Sequence, residues 1–189
     1  MSNAIQRRGG TTAQHASFTG LAREITIDTD KKVVVVHDGG TPGGFPMAPA
    51  KSPIFTGLSS IEGLLEKISV SATAATGTIN FDALTQALLY YTSNASANWT
   101  LNVRGSSAAT LNSLMAIGQS MSLAFLVTNG STAYYQSGFQ IDGSPITVKW
   151  QGGSAPSSGN NNAIDAYNFV IIKTANATFS VLGSITKFA

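Results

Sequence analysis

The sequence contains no cysteine, which excludes a disulfide framework and a thiolate metal site. Charge is also scarce. Acidic and basic residues occupy 11% of the 189 positions, against about 25% in an average soluble domain. The 11 basic side chains barely exceed the 9 acidic ones. No basic patch is interleaved with aromatics, so nucleic-acid binding is not expected. No apolar run reaches the ~18 residues of a membrane-spanning helix, so membrane insertion is not expected either. Met1–Arg8 has no apolar core of the kind a secretory signal carries.

Chemistry-bearing residues are equally sparse. His15 and His37 are the two histidines, and neither stands at metal-ligand spacing from another ligand. Each is expected to be a hydrogen-bonded packing residue. Serine is abundant, but no G-x-S-x-G elbow occurs, and no histidine follows His37 to act as a base. No phosphate loop of the G-x-x-x-x-G-K-[ST] type is present. Glycoside hydrolysis needs two carboxylates about 5–9.5 Å apart. Beyond the first fifty residues, Glu62 and Glu66 read as a solvated face and Asp142 as a turn, which leaves only Asp82 and Asp165. A non-enzymatic protein without metal or cofactor is the expectation.

Hydrophobic residues make up 43% of the chain, enough for a core without cross-links. Few charges among many Ser, Thr, Asn and Gly suit surfaces that meet other protein surfaces, because interface cores are depleted in charge.

Charge divides the chain. Residues 1–51 carry six basic and four acidic side chains, whereas 52–189 carry five of each over a much longer segment. In the first part Glu24–Asp28 alternates, with Ile25 and Ile27 on one face. Asp28–Lys32 reads as a turn and Val33–Val36 as a second, β-branched strand. An isolated hairpin is marginal in water, and fifty such residues enclose little core. Such a module requires partners, and copies of itself are the simplest source.

A proline-containing linker follows. Leu58, Ile61, Leu64, Leu65 and Ile68 then recur at helical spacing, which predicts a short helix suited either to a bundle of symmetry mates or to packing on its own domain. From about residue 77 the pattern is strands. Ile79 and Phe81 alternate, as do Trp99, Leu101 and Val103, then Met121 to Val127, Ile146 to Trp150, Tyr167 to Ile171, and Phe179 with Val181. Asn129-Gly130 predicts a hairpin turn returning through Tyr134 and Tyr135, and Asp142-Gly143 predicts another. Residues 152–162 form a polar loop with almost nothing to bury. The expected fold is mainly β: a module over 1–50, a linker with a short helix over 51–76, and an antiparallel, jelly-roll-like β-sandwich over 77–189.

Residues 5–48 also carry, in order, Arg7-Arg8-Gly-Gly-Thr11, Phe18-Thr-Gly20, Glu24-Ile-Thr-Ile-Asp28-Thr29, Val36-His-Asp-Gly39 and Gly43-Gly-Phe-Pro46. This stretch resembles the N-terminal module of phage major-tropism-determinant and hyaluronidase-type tail-fibre proteins. It departs from that pattern by one additional glycine before Thr11 and by Leu21-Ala22-Arg23 before Glu24. The resemblance implies a small intertwined trimeric β unit at the particle-proximal end of a fibre. Arg7, Arg8, Thr11, Phe18, Asp38 and Phe45 would then serve in trimerisation and attachment.

Trp99–Gly105, Ala124–Gly130, Lys149–Gly153 and Lys187–Ala189 are similar to virion structural proteins of phages infecting cyanobacteria. Together the resemblances imply a homotrimeric virion protein, assembled in the host cytoplasm. Its partners would be other virion proteins of the tail, adaptor or capsid, and a host surface glycan or protein. The contacting loops would include Asn129, Tyr134, Tyr135, Ser157, Asn160 and Asn161. A capsid decoration or head-fibre protein is the alternative.

Overall fold

Strand β1 (Gly9–Gly10), helix α1 (Thr12–Ser17) and strands β2 (Ile25–Asp28), β3 (Val33–Val36) and β4 (Phe45–Pro46) form the first unit of the chain in the computed structural model. The structure describes residues 6–47, 62–63 and 65–188, and a second unit begins at residue 64. The four short strands make one sheet in the order β1-β2-β3-β4. The expected hairpin is there: β2 and β3 pair antiparallel from Ile25↔Val36 to Asp28↔Val33. Helix α1 was not expected. Thr11 caps it, its hydroxyl accepting from the Gln14 amide at 3.2 Å while the Gln14 side chain accepts from the Thr11 amide at 2.8 Å. That reciprocal pair satisfies two amides that the first helical turn leaves free.

The second unit consists of β5 (Ile68–Ala74), β6 (Gly77–Asp82), β7 (Leu88–Asn94), β8 (Trp99–Arg104), a helical turn α2 (Leu111–Leu114), β9 (Ser120–Thr128), β10 (Gln136–Ile141), β11 (Ser144–Pro145), β12 (Val148–Trp150), β13 (Ile164–Ala175) and β14 (Thr178–Phe188). These strands form a four-stranded sheet, β11-β10-β8-β6, and a six-stranded sheet, β12-β14-β13-β9-β7-β5. The two share one core. Phe81, Trp99, Leu101, Val103 and Phe139 of the smaller sheet join Phe125, Val127, Tyr167, Phe169 and Ile171 of the larger. Trp99 packs edge-on against both Phe125 and Tyr167, with ring centroids 5.9 and 5.7 Å away. Fully burying each large side chain contributes roughly 1.5–3 kcal/mol.

The mainly β, sandwich-like expectation therefore holds, but pairing within the sheets is mixed rather than antiparallel throughout. β8 runs parallel to both β6 and β10, and β7 runs parallel to β5 and β9. Alternation of apolar residues reveals which face a strand buries, not the direction of its neighbours.

Two further expectations are corrected. Ile68 does not close a helix; it opens β5, the edge strand paired with β7. Ile68-Ser-Val-Ser is a period-two, β-branched run, and the sheet edge accepts it. Leu65 just before it is fully exposed, whereas Leu58, Ile61 and Leu64 lie outside the described residues. Part of the segment expected as linker thus belongs to the β domain. Asn129-Gly130 is likewise not a hairpin, because β9 belongs to the larger sheet and β10 to the smaller. Tyr134 and Tyr135 precede the strand instead of opening it. By contrast, Asp142-Gly143 is a two-residue hairpin turn with φ of 52° and 80°, closing the Ile141↔Ser144 pair.

Candidate functional site

The first unit places polar groups inside and apolar groups outside. Its interior is a hydrogen-bonded chain of His15, Thr26 and His37, all buried. His15 Nδ1 lies 3.0 Å from the Thr11 carbonyl, and its Nε2 lies 2.8 Å from the Thr26 hydroxyl. His37 Nε2 lies 2.9 Å from the same hydroxyl. A carbonyl can only accept, so His15 donates from Nδ1, and its bare Nε2 accepts from Thr26. The Thr26 oxygen then accepts from His37 Nε2–H. This ordering leaves His37 Nδ1 bare, and that nitrogen has no partner. Both histidines are thus hydrogen-bonded packing residues, as the sequence suggests. Phe18 meets the His37 ring edge-on at 5.3 Å. A Cβ at Gly20 or Gly44 would come within 2.5 or 2.6 Å of the His37 ring, so the imidazole occupies the space both glycines leave open.

Opposed residues on neighbouring strands point to the same face. Ile25 opposes Val36, which opposes Phe45, while Ile27 opposes Val34. The Met47 amide bonds to the Val34 carbonyl. The sheet therefore turns Ile25, Ile27, Val34, Val36 and Phe45 away from its own interior, with Met47 beside Val34. Phe45 remains 54% and Met47 57% exposed. Only Val33 and Val35 of the module are buried hydrophobics among the described residues.

The other residues implicated by the resemblance are placed individually. Arg7 is exposed. Arg8 lies over the Phe18 ring at 5.1 Å and reaches Glu24 at 3.4 Å. Thr11 is the helix cap. Asp38 closes a loop by accepting from the Gly40 and Thr41 amides and the Thr41 hydroxyl. Those donors, the Thr41 amide foremost, hold its carboxyl down at about 2. Asp28 opens the expected turn, accepting from the Asp30 and Lys31 amides, and also accepts from the Thr12 hydroxyl at 2.8 Å. Its carboxyl is held below the usual range, first by the Lys31 amide.

At one end of the β domain the two segments expected to contact partners come together. The Asn162 amide bonds to the Gly130 carbonyl at 2.8 Å, and the Asn129 amide to the Ala163 carbonyl at 2.9 Å. Asn129 is not available for contact. It is buried, its side chain donating to Asp165 Oδ2 at 3.1 Å and accepting from the Tyr134 amide. That use of the side chain displaces the expected turn. The Asn160 amide bonds to the same Asp165 oxygen at 2.9 Å. Ser157 and Asn161 are exposed, whereas Tyr134, Tyr135 and Asn160 are half-buried. The outcome is a surface of Ser, Asn and Tyr around one buried carboxylate, with the Lys187 ammonium beside it at 3.5 Å from the Gly159 carbonyl. Burial pushes the Asp165 carboxyl up, against the opposing Asn160 amide, Lys187 and the Asn129 side chain.

Asp82, the other carboxylate considered for hydrolysis, is engaged by Arg104 at 2.6 Å. Among the described residues no cluster of three or more metal-ligating side chains occurs, and no helix is long and apolar enough to cross a membrane.

Residues 5–41 match the family described as Major tropism determinant N-terminal domain. A "Tail fiber receptor-binding protein" of Bordetella phage BPP-1 is 77% identical over 48 residues, which is 25% of this chain and 13% of that protein. This chain thus spans only a small part of the length of that relative. Solved structures of the P3c and M1 variants of Major Tropism Determinant are 76% identical, covering 24% of this chain and 12% of theirs, with a TM-score of 0.24.

Proposed function

We propose that this chain is a structural protein of a bacteriophage virion, a non-enzymatic, homotrimeric tail-fibre or appendage component. Its N-terminal module joins three copies and docks them to another virion protein. The β domain presents the Asn–Ser–Tyr loop end to a host surface glycan or protein. Loops rich in Tyr, Ser and Asn combine adaptable hydrogen bonding with rigid contact area, and three copies on one particle add avidity through effective concentration. The protein would be assembled into the particle in the host cytoplasm, and a β domain of the kind carried by virion proteins of cyanobacterial phages is part of the same proposal.

One observation carries this reading: the module turns most of its large apolar side chains outward, with only Val33 and Val35 buried beside a polar His–Thr–His centre among the described residues. A unit built that way gains its hydrophobic stabilisation by covering that face with protein, and the match to a tail-fibre receptor-binding protein names the setting. Light scattering of the full chain tests it. The expected mass is three times the 19.6 kDa of one chain. Val34→Lys places a charge on the module face and is expected to weaken association about tenfold or more. A lone subunit at micromolar concentration would refute the reading. Imaging of particles tests location, and density for this chain on capsomers would replace the tail assignment with a capsid-decoration one.

A further inference from the structure

Among the described residues, the outward face of the six-stranded sheet is a second exposed surface that carries large hydrophobic side chains. In β5, β7, β9, β13 and β14 the residues facing away from the core share one register: Ile68↔Leu88↔Ala124↔Asn168↔Ser184 in one row, and Ser122↔Val170↔Leu182 in the next. Ile68, Val70, Val170, Leu182 and Phe188 are all exposed. None of the outward side chains on these five strands is charged. Charge appears only at the two edges. Lys149 on β12 is in register with Leu182, and Glu66, next to β5, lines the opposite end of the groove that crosses this face.

We infer that this sheet face is an interface between copies of this chain, turned toward the axis of the proposed trimer. The inference rests on the trimer reading above but adds a second, independent contact. Size supports it. Six strands about 4.8 Å apart and roughly seven residues long at about 3.3 Å each give a face of about 550 Å² in plan. Side-chain relief brings that toward the roughly 800 Å² each partner gives to a stable interface. Charge supports it too. A face of aliphatic and uncharged polar side chains meets its own copy without like-charge repulsion. Any rotation axis along the strands sets the Glu66 edge of one copy beside the Lys149 edge of the next, an unlike pairing that a closed cyclic assembly repeats at each contact. A soluble monomer would place charges on such a face to prevent association.

The absence of cysteine makes the test clean. Leu182→Cys, in the full chain, puts a single thiol on the face, and Thr78→Cys on exposed β6 of the other sheet is the control. In the assembled protein, labelling at position 182 is expected to be about tenfold slower than at 78. Adding Val170→Glu, whose side chain points away from the core, is expected to abolish that protection. A zero-length carboxyl–amine cross-linker is expected to join copies through Glu66 and Lys149, and Glu66→Gln to remove the product. A trimer whose thiol at 182 labels as fast as the control would overturn this interface while leaving the module reading intact. A monomeric full chain would overturn both. A trimer that survives Val34→Lys but dissociates with Val170→Glu would support this interface at the expense of the module. Protection at 182 that appears only when another virion protein is added would assign the face to that partner and overturn the inference.

Discussion

The two halves of this chain use side chains in opposite ways. In the β domain the aromatic residues Trp99, Tyr167, Phe125 and Phe169 lie between the sheets and are essentially inaccessible, although aliphatic residues such as Val70 and Leu182 remain on the outer face. In the module two imidazoles joined by a threonine hydroxyl share the interior with Val33 and Val35, while Ile25, Val34, Phe45 and Met47 face outward. The first arrangement is stable through its own burial. The second fixes a shape by hydrogen bonding, which contributes only about 0.5–1.5 kcal/mol net per bond, and it leaves its hydrophobic gain to be realised on contact. The difference separates a domain with a large apolar core of its own from a unit that is proposed to complete its burial on assembly.

The largest expected effect tests the self-sufficient half. Trp99→Ala removes the ring that packs on both Phe125 and Tyr167, and such truncations cost about 3–5 kcal/mol. Urea unfolding of the β domain should show that loss at every protein concentration. A concentration-dependent loss would mean that the β domain, too, is stabilised chiefly by association.

Thr26→Val tests the other half. It leaves Nε2 of both His15 and His37 buried without a partner, and each such loss costs about 1–3 kcal/mol. The module amides near Val35 should exchange faster, and the assembly midpoint should move to higher protein concentration, because folding and association are linked. Unchanged association would show that the polar interior is dispensable and that the outward face alone orders the module.

How much of this was legible in the sequence follows the same division. Period-two alternation at Trp99, Leu101 and Val103 identified the buried face of β8, because burial on one side of a strand leaves that trace. The Asp142-Gly143 turn was readable from two adjacent residues. Partner strands were not, since pairing directions depend on segments far away in the chain. Asn129-Gly130 misleads for the same reason: the residue that claims the Asn129 side chain is Asp165, 36 positions later. The helical spacing through Ile68 competed with the alternation of Ile68 and Val70, and sheet pairing decided between them. Helix α1 does leave a signal, the Thr11-x-x-Gln14 box, but six residues are too few for an apolar period to support it. Alternation at Ile25 and Ile27 named a face but not its direction; only the fold reveals that it points outward. The attachment residues came from family resemblance, and no local pattern marks them.

A smaller effect is expected where the β domain itself relies on a polar contact. Lys173 is buried, and its ammonium donates to the Asn112 and Met115 carbonyls at 2.6 and 2.8 Å, holding α2 against β13. Lys173→Met keeps the volume but leaves both carbonyls without that donor, at a cost of about 1–2 kcal/mol. Hydrogen exchange should rise across residues 111–118 and stay level in β9 and β13. A global loss instead would make this lysine part of the core and weaken the contrast between an apolar domain and a polar module.

The smallest effect is a change in slope with pH at the loop end. Burial raises the Asp165 carboxyl above its ordinary 3.8. A group whose folded value lies above its unfolded one contributes stability that is present below the unfolded value and is lost as pH rises through the folded one. Above that folded value the charged, buried carboxylate is therefore a cost, offset in part by the Asn160 amide and the Asn129 side chain. Asp165→Asn can keep an oxygen toward both donors while removing the charge. The variant should match or exceed the parent in urea midpoint at neutral pH, and its advantage should shrink as pH falls toward the ordinary carboxyl range. A variant less stable at neutral pH would show that the two loops need the charge itself. The buried carboxylate would then be the clasp that holds the contact surface in place, and the β domain would depend on a polar centre as the module does.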